Sequence, residues 1–218
     1  MPEFVVHTVP GSPFARAVLM ALVEKGEAYR IAGLTPVAAK APAHLARHPF
    51  GRIPVLEHGD FSLYETQAIL RYIDRVTSPG SLTPADPRAA GRMDQILNLN
   101  DWYLFQGVAN IIAFQRVVGP RLMGLEPDLD AIATAMPRAT LVFTELARLL
   151  GGQAFFAGET VSLADLQLFP QLDFMRLAPE WATLAGPHPA LDAWMDRMAG
   201  RPSAAATTWE QVAAQAAR

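Results

Sequence analysis

The stretch His48–Asp74, "HPFGRIPVLEHGDFSLYETQAILRYID", decides the fold. Two short runs with strand-like residues, "PVLE" and "FSLY", flank His58-Gly59-Asp60, a pattern that predicts a β-hairpin. The segment after it carries Ala68, Ile69, Tyr72, Ile73 and Val76 at helical spacing, so a helix with those residues on its apolar side is expected. Hairpin and helix together close a unit whose earlier parts lie upstream.

Upstream, "FVVHTV" reads as a buried strand, "GSP" breaks it, and "FARAVLMALVEKG" is a helix that stops at Gly26. "EAYRIAGL" supplies a second strand, and "PVAAKAPAHLARH" is a short helical region interrupted by proline. The order is βαβαββα over residues 1–76. "TSPGSLTPADP", 77–87, is dense in Pro, Gly and Ser and reads as a linker. From Arg88 on, long helical periodicity broken at "GPRLMGLEPD", "GGQAFFAGETVS", "APEWATLAGPHP" and "GRP" predicts an all-α domain over 88–218.

Composition narrows the chemistry. Lysine occurs only at Lys25 and Lys40, the net charge is -3, and no basic run offers a footprint for nucleic acid. The absence of cysteine excludes disulfides, thiolate metal sites and a protein thiol nucleophile. No stretch approaches the ~20 apolar residues that span a bilayer, so a cytoplasmic location without membrane partners is expected. His44 and His48 have the i, i+4 spacing of a metal pair, but no third ligand accompanies them. No metal site is expected, and both histidines read as surface residues.

Three features carry chemistry. Pro54 at the mouth of a strand cannot donate a ladder hydrogen bond. A cis Ile53-Pro54 bond there would turn the N–H and C=O of Ile53 outward, toward an extended peptide ligand; the alternative is a plain edge-strand start. Glu65 and Thr66 stand where unpaired N–H groups and the helix dipole favour an anion, although from these two residues alone Thr66 as helix cap, with Glu65 answering the dipole, is the better account. Ser12 is a helix-starting hydroxyl or simply a turn serine ahead of Pro13. Further on, "TVSLAD" has the form of a capping box, Ser162 with Asp165, beside a Val161–Leu166 staple. A helix from Asp101 to Phe114 would put Tyr103, Gly107, Asn110 and Phe114 on one face, either a pocket wall or a core stripe.

Together "VPGSPFARAVLMALVEKG", "HPFGRIPVLEHGDFSLYETQAILRYID" and "FAGETVSLADLQLFPQL", in that order and spacing, resemble the cytosolic glutathione S-transferases, nearest the serine-dependent phi, tau and theta-like types. The resemblance implies an α/β plus all-α fold: a thioredoxin-like N-terminal domain that binds glutathione, and a C-terminal helical-bundle domain that contributes the electrophile pocket. It implies that Ser12 hydrogen-bonds the glutathione sulfur, that Ile53 pairs with the cysteinyl backbone before cis-Pro54, and that Glu65 and Thr66 hold the γ-glutamyl amino and carboxylate groups. Threonine stands at 66 where serine is usual. Lys40 falls where a basic residue reaches the glycyl carboxylate, although Ala39 stands where a histidine often precedes it, and Arg52 replaces a more usual glutamine or lysine. Phe14, Tyr103, Asn110 and Phe114 are candidates for the electrophile pocket. Phe50 resembles an aromatic that some relatives insert into a partner subunit, with a buried loop anchor as the alternative.

The activity expected is conjugation of glutathione to small hydrophobic electrophiles in detoxification, by a homodimer with glutathione as co-substrate and no permanently bound cofactor. Peroxide reduction, dehalogenation or isomerisation on the same site, and a non-catalytic module that kept the fold, are the alternatives. Chemistry through a mixed disulfide on the protein is closed to a chain without cysteine.

Overall fold

Strand β1, Phe4–Thr8, is the centre from which the first unit grows. It pairs in parallel with β2, Tyr29–Gly33, and antiparallel with β3, Val55–His58, which turns into β4, Phe61–Tyr64, giving the order β2-β1-β3-β4. The hairpin turn falls at the expected place, with Gly59 at a φ of 66° that glycine adopts without steric cost. Helix α1, Pro13–Glu24, follows β1 and is almost wholly apolar, with Ala15 and Ala17–Leu22 buried. Helix α2, Pro42–Leu45, is short, and helix α3, Thr66–Val76, follows β4. The computed structural model describes residues 3–78 and 80–217.

The buried stripe of α3 differs by one step from the expected one. Ile69, Leu70 and Ile73 face the core, whereas Val76 is exposed and Tyr72 only half-buried. Tyr72 instead lies against the hairpin, its hydroxyl 2.9 Å from His58 Nδ1 and its ring 5.0 Å from that of Phe61. A tyrosine at a core boundary keeps its polar tip partnered this way.

The chain divides into two units, one running to Leu82 and resuming at Gly200, the other Thr83–Ala199. Both boundaries differ from those read in the sequence. The first half of the expected linker is stitched to the first unit: Asp74 accepts from Lys25 Nζ, Ser81 Oγ and the Leu82 N–H, and Lys25 also donates to the Gly80 carbonyl. The tail, expected with the second domain, carries α11, Pro202–Ala206, and α12, Trp209–Ala216, within the first unit. Arg201 grips Glu24 with two bonds of 2.7 Å, Ser203 adds a third to the same carboxylate, and Arg16 Nη2 donates to the Ala204 carbonyl. Ala216 lies so near Gly33 that a Cβ there would come within 2.7 Å of the alanine Cβ.

The second unit begins with α4, Pro87–Leu99, capped by Asp86 and continued by a π-helical stretch, Asn100–Ala109. Then come α5, Asn110–Ala113, a second π-helical stretch, Phe114–Val118, and α6, Gly119–Met123. Helices α7, Leu129–Leu150, α8, Leu163–Arg176, α9, Trp181–Ala185, and α10, Pro189–Ala199, complete it. Nearly every residue of α8 is buried, the polar Asp165, Gln167 and Gln171 among them. Its capping box forms as read: Asp165 accepts from the Ser162 N–H and hydroxyl, the Phe156 N–H and the Trp194 indole. Among the described residues no helix is long and apolar enough to cross a membrane.

Candidate active site

Ser12 is the N-cap of α1, with Pro13 at the first helical position, where a missing N–H costs nothing. Its Oγ accepts the Ala15 N–H at 3.2 Å, and its carbonyl accepts the Arg16 N–H at 3.0 Å. Accepting through oxygen leaves the single hydroxyl proton of Ser12 available to a further acceptor. The helix N-terminus and the accepted bond both polarise that hydroxyl, so an anionic acceptor in front of it gains most.

The Ile53-Pro54 bond is cis. None of the loop and turn backbone bonds among the described residues uses the N–H or C=O of Ile53. The loop before it is held from below: Lys40 Nζ donates to the Gly51 carbonyl at 2.8 Å, and His44 Nε2 lies 2.7 Å from the Arg52 carbonyl. Lys40 and Arg52 are themselves exposed.

Glu65, not Thr66, occupies the N-cap of α3, and its side chain makes no capping bond. Thr66 is the first helical residue and is buried. Capping therefore does not account for the pair. Glu65 alone among the described non-glycine residues has positive φ, 71°, a conformation that costs of order 1–3 kcal/mol and persists where the surroundings impose it.

His44 and His48 are 3% and 2% exposed, which corrects their reading as surface residues. The His48 ring lies 4.5 Å from the Tyr64 ring, between α2 and the end of β4. Burial pushes its pKa down; the Glu65 charge opposes this, while His44, Arg52 and Lys40 add to it. Those four groups are brought around one buried imidazole, so Lys40, Arg52 and Glu65 share a neighbourhood. The sequence signal for His48 was weak, because nothing in "RHPFG" distinguishes a buried imidazole from a solvated one. Among the described residues no group of three His, Cys, Asp or Glu side chains is placed to hold a metal ion.

The four residues expected on one helical face divide. At Gln106 and Gly107 the backbone leaves helical geometry, with Gly107 at φ 87° and its N–H donated to Asn110 Oδ1 at 2.7 Å. A β-carbon on Gly107 would also come 3.2 Å from the Arg138 side chain. Asn110 thus braces the break at Gly107, and the single face is lost. Tyr103 lines a groove of about 410 Å³ on the second unit with Gln95, Asn98, Leu99, Leu141, Val142 and Glu145, whereas Asn110 and Phe114 do not. Phe14 belongs to the first unit and is half-buried. Phe50 is 69% exposed, so it is no buried anchor.

A βαβαββα sheet unit that offers a helix-capping hydroxyl, a cis-proline loop and a strained acidic residue, followed by a helical unit, defines a thioredoxin-like transferase fold. The protein-family models "Glutathione S-transferase, N-terminal domain" and "Glutathione S-transferase, C-terminal domain" match residues 2–75 and 126–197. Glutathione S-transferase 3 of Zea mays is 33% identical over 209 residues, covering 93% of this chain and 92% of that protein. Glutathione S-transferase 4 of Zea mays is 31% identical, covering 88% and 86%. The chain belongs to the glutathione S-transferase family. Among solved structures, glutathione S-transferase-I bound with lactoylglutathione aligns with a TM-score of 0.82 at 27% identity, over 99% of this chain and 100% of that one. Glutathione S-transferase III in its apo form gives 0.83 at 29%, over 94% and 95%.

Proposed function

We propose that this glutathione S-transferase conjugates the glutathione thiolate to small hydrophobic electrophiles, with the thiol activated by Ser12. The observation that carries the reading is the Ser12 hydroxyl at a helix N-terminus, whose oxygen accepts the Ala15 N–H, a bond that does not use the hydroxyl proton. A thiol of ordinary pKa, about 8.5, is mostly protonated at neutral pH, and the thiolate is the nucleophile. Lowering that pKa by two units requires about 2.7 kcal/mol of preference for the anion. A charge-assisted hydrogen bond and the helix dipole together reach that amount.

In this reading the Ile53 backbone pairs with the cysteinyl residue of glutathione, and Lys40 and Arg52 meet the glycyl carboxylate. Glu65 takes the γ-amino group, and the Thr66 hydroxyl with the free N–H groups of α3 takes the γ-carboxylate. On the second unit Tyr103 and its groove offer apolar surface to the electrophile, while Asn110 serves the backbone. The enzyme acts in the cytoplasm as a homodimer, an assembly supported by the exposure of Phe50.

The test is steady-state conjugation of glutathione to chlorodinitrobenzene by wild type and Ser12→Ala, with glutathione binding measured calorimetrically on both. Retained binding with most of the rate lost supports Ser12 as activator. Equal rates remove Ser12 from the mechanism, and absence of binding in the wild type removes the glutathione site.

A further inference from the structure

Gly11, immediately before Ser12, has a φ of 86°. A β-carbon there would lie 2.5–2.6 Å from the Cζ3, Cε3 and Cη2 atoms of Trp209, so the indole lies flat against the backbone at Gly11. The turn itself is weakly built. Pro10 has no N–H, Gly11 is the most permissive residue, and the turn bond from Ser12 N–H to the Val9 carbonyl is long at 3.3 Å.

The indole, by contrast, is held from both ends. Thr208 caps α12 by accepting the Gln211 N–H, Arg201 and Ser203 fasten the approach to Glu24, and Ala216 fixes the far end against Gly33. We infer that Trp209 is a positioning residue for thiol activation: a rigid wall behind Gly11 that holds the Ser12 hydroxyl where the sulfur will lie. The inference rests on the Ser12 reading above. Its physical basis is that a hydrogen bond to a developing or settled anion loses strength steeply as the donor drifts, so a soft turn needs an external wall.

The experiment compares wild type, Trp209→Ala, Trp209→Phe and Ser12→Ala. The pKa of the bound glutathione thiol is titrated by ultraviolet thiolate absorbance, alongside kcat, KM and calorimetric glutathione binding. Trp209→Ala is expected to raise the bound-thiol pKa by about one unit and, assayed below the wild-type bound-thiol pKa, to lower kcat about tenfold with glutathione affinity unchanged. Trp209→Phe, which keeps a flat ring, recovers most of both. A Trp209→Ala protein that loses affinity and thermal stability while its thiol pKa stays at the wild-type value shows a purely structural tail and overturns the inference. If the alanine variant fails to fold, Trp209→Phe and Trp209→Leu decide, since a displaced hydroxyl predicts a graded rise in thiol pKa from phenylalanine to leucine, and equal values overturn it. If Ser12→Ala raises the thiol pKa and no Trp209 variant does, this inference alone falls. If Ser12→Ala leaves it unchanged, the Ser12 reading falls and takes this one with it.

Discussion

Lys25 Nζ and Asp74 Oδ1 meet at 3.2 Å with side chains 1% and 4% exposed, an ion pair that ties the end of α1 to α3 from within the first unit. The same carboxylate accepts from Ser81 and Leu82, so one buried group fixes two helices and the chain that leaves them.

Breaking that pair from one side strands a charge in low dielectric. Asp74→Ala is expected to lower unfolding free energy by about 3–5 kcal/mol, and Lys25→Met by a comparable amount. The double variant Lys25→Met with Asp74→Leu loses much less than the sum, because no charge is left buried. Denaturant unfolding followed by tryptophan fluorescence reads all three. Additive losses would mean that the two side chains stabilise the fold independently.

Asp165 makes a second strong prediction. Burial pushes its carboxyl pKa up, against the Phe156 N–H, the Trp194 indole and the Ser162 donors that favour the anion. Asp165→Ala leaves those donors buried without an acceptor, and roughly 4 kcal/mol of stability should go with it. Ser162→Ala removes one bond and should cost about 1 kcal/mol. Calorimetric melting separates the two, and a mild Asp165→Ala would mean that the donors find water instead.

That box was legible because its chemistry is local: a serine and an aspartate three residues apart announce each other. The βαβαββα order was legible for the same reason, since turns and period-two runs are written over a few neighbouring residues, whereas Ser12, Pro54 and Glu65-Thr66 each read locally as plain turn or cap residues and stood out as a set only through the family resemblance. What escaped is pairing across distance. Glu24 with Arg201, Asp74 with Leu82 and Gly11 with Trp209 moved the domain boundaries. In an alanine-rich tail nothing local says which unit it joins. The Gly107 break escaped as well, because a glycine at helical spacing is invisible until Asn110 is seen to accept its N–H.

The tail's anchorage should respond to acid. Burial pushes the Glu24 pKa up, but the bonds from Arg201 and Ser203 and the Arg201 charge outweigh it and hold the pKa below the ordinary 4.5. A carboxyl whose folded pKa is lowered contributes stability that is fully present above its unfolded value and is lost as pH falls through the folded one. Hydrogen exchange across α11 and α12 should therefore accelerate below about pH 4.5 in wild type, relative to the sheet. In Glu24→Gln the tail should already exchange faster at neutral pH and show a flatter acid dependence. A wild-type tail that exchanges no faster than the sheet as the pH drops would place its anchorage elsewhere, on Gly33 and Trp209.

Glu65 and Thr66 separate affinity from stability. Thr66→Val removes a buried hydroxyl at constant shape and should weaken glutathione binding about tenfold, or about 1.4 kcal/mol, while Thr66→Ser should bind as wild type. Glu65→Gly acts in opposite directions on two observables. Glycine adopts a φ of 71° without the strain that glutamate bears, so the melting temperature should hold or rise despite glycine's larger unfolded-state entropy. The carboxylate is gone, however, so glutathione affinity should fall by more than in Thr66→Val, a charged contact being worth more than a neutral one. Glu65→Gln, which keeps the strained backbone and loses only the charge, should show the affinity loss without the gain in melting temperature. A Glu65→Gly protein that melts lower and still binds glutathione normally would make the unusual backbone a purely structural requirement and remove Glu65 from the binding site.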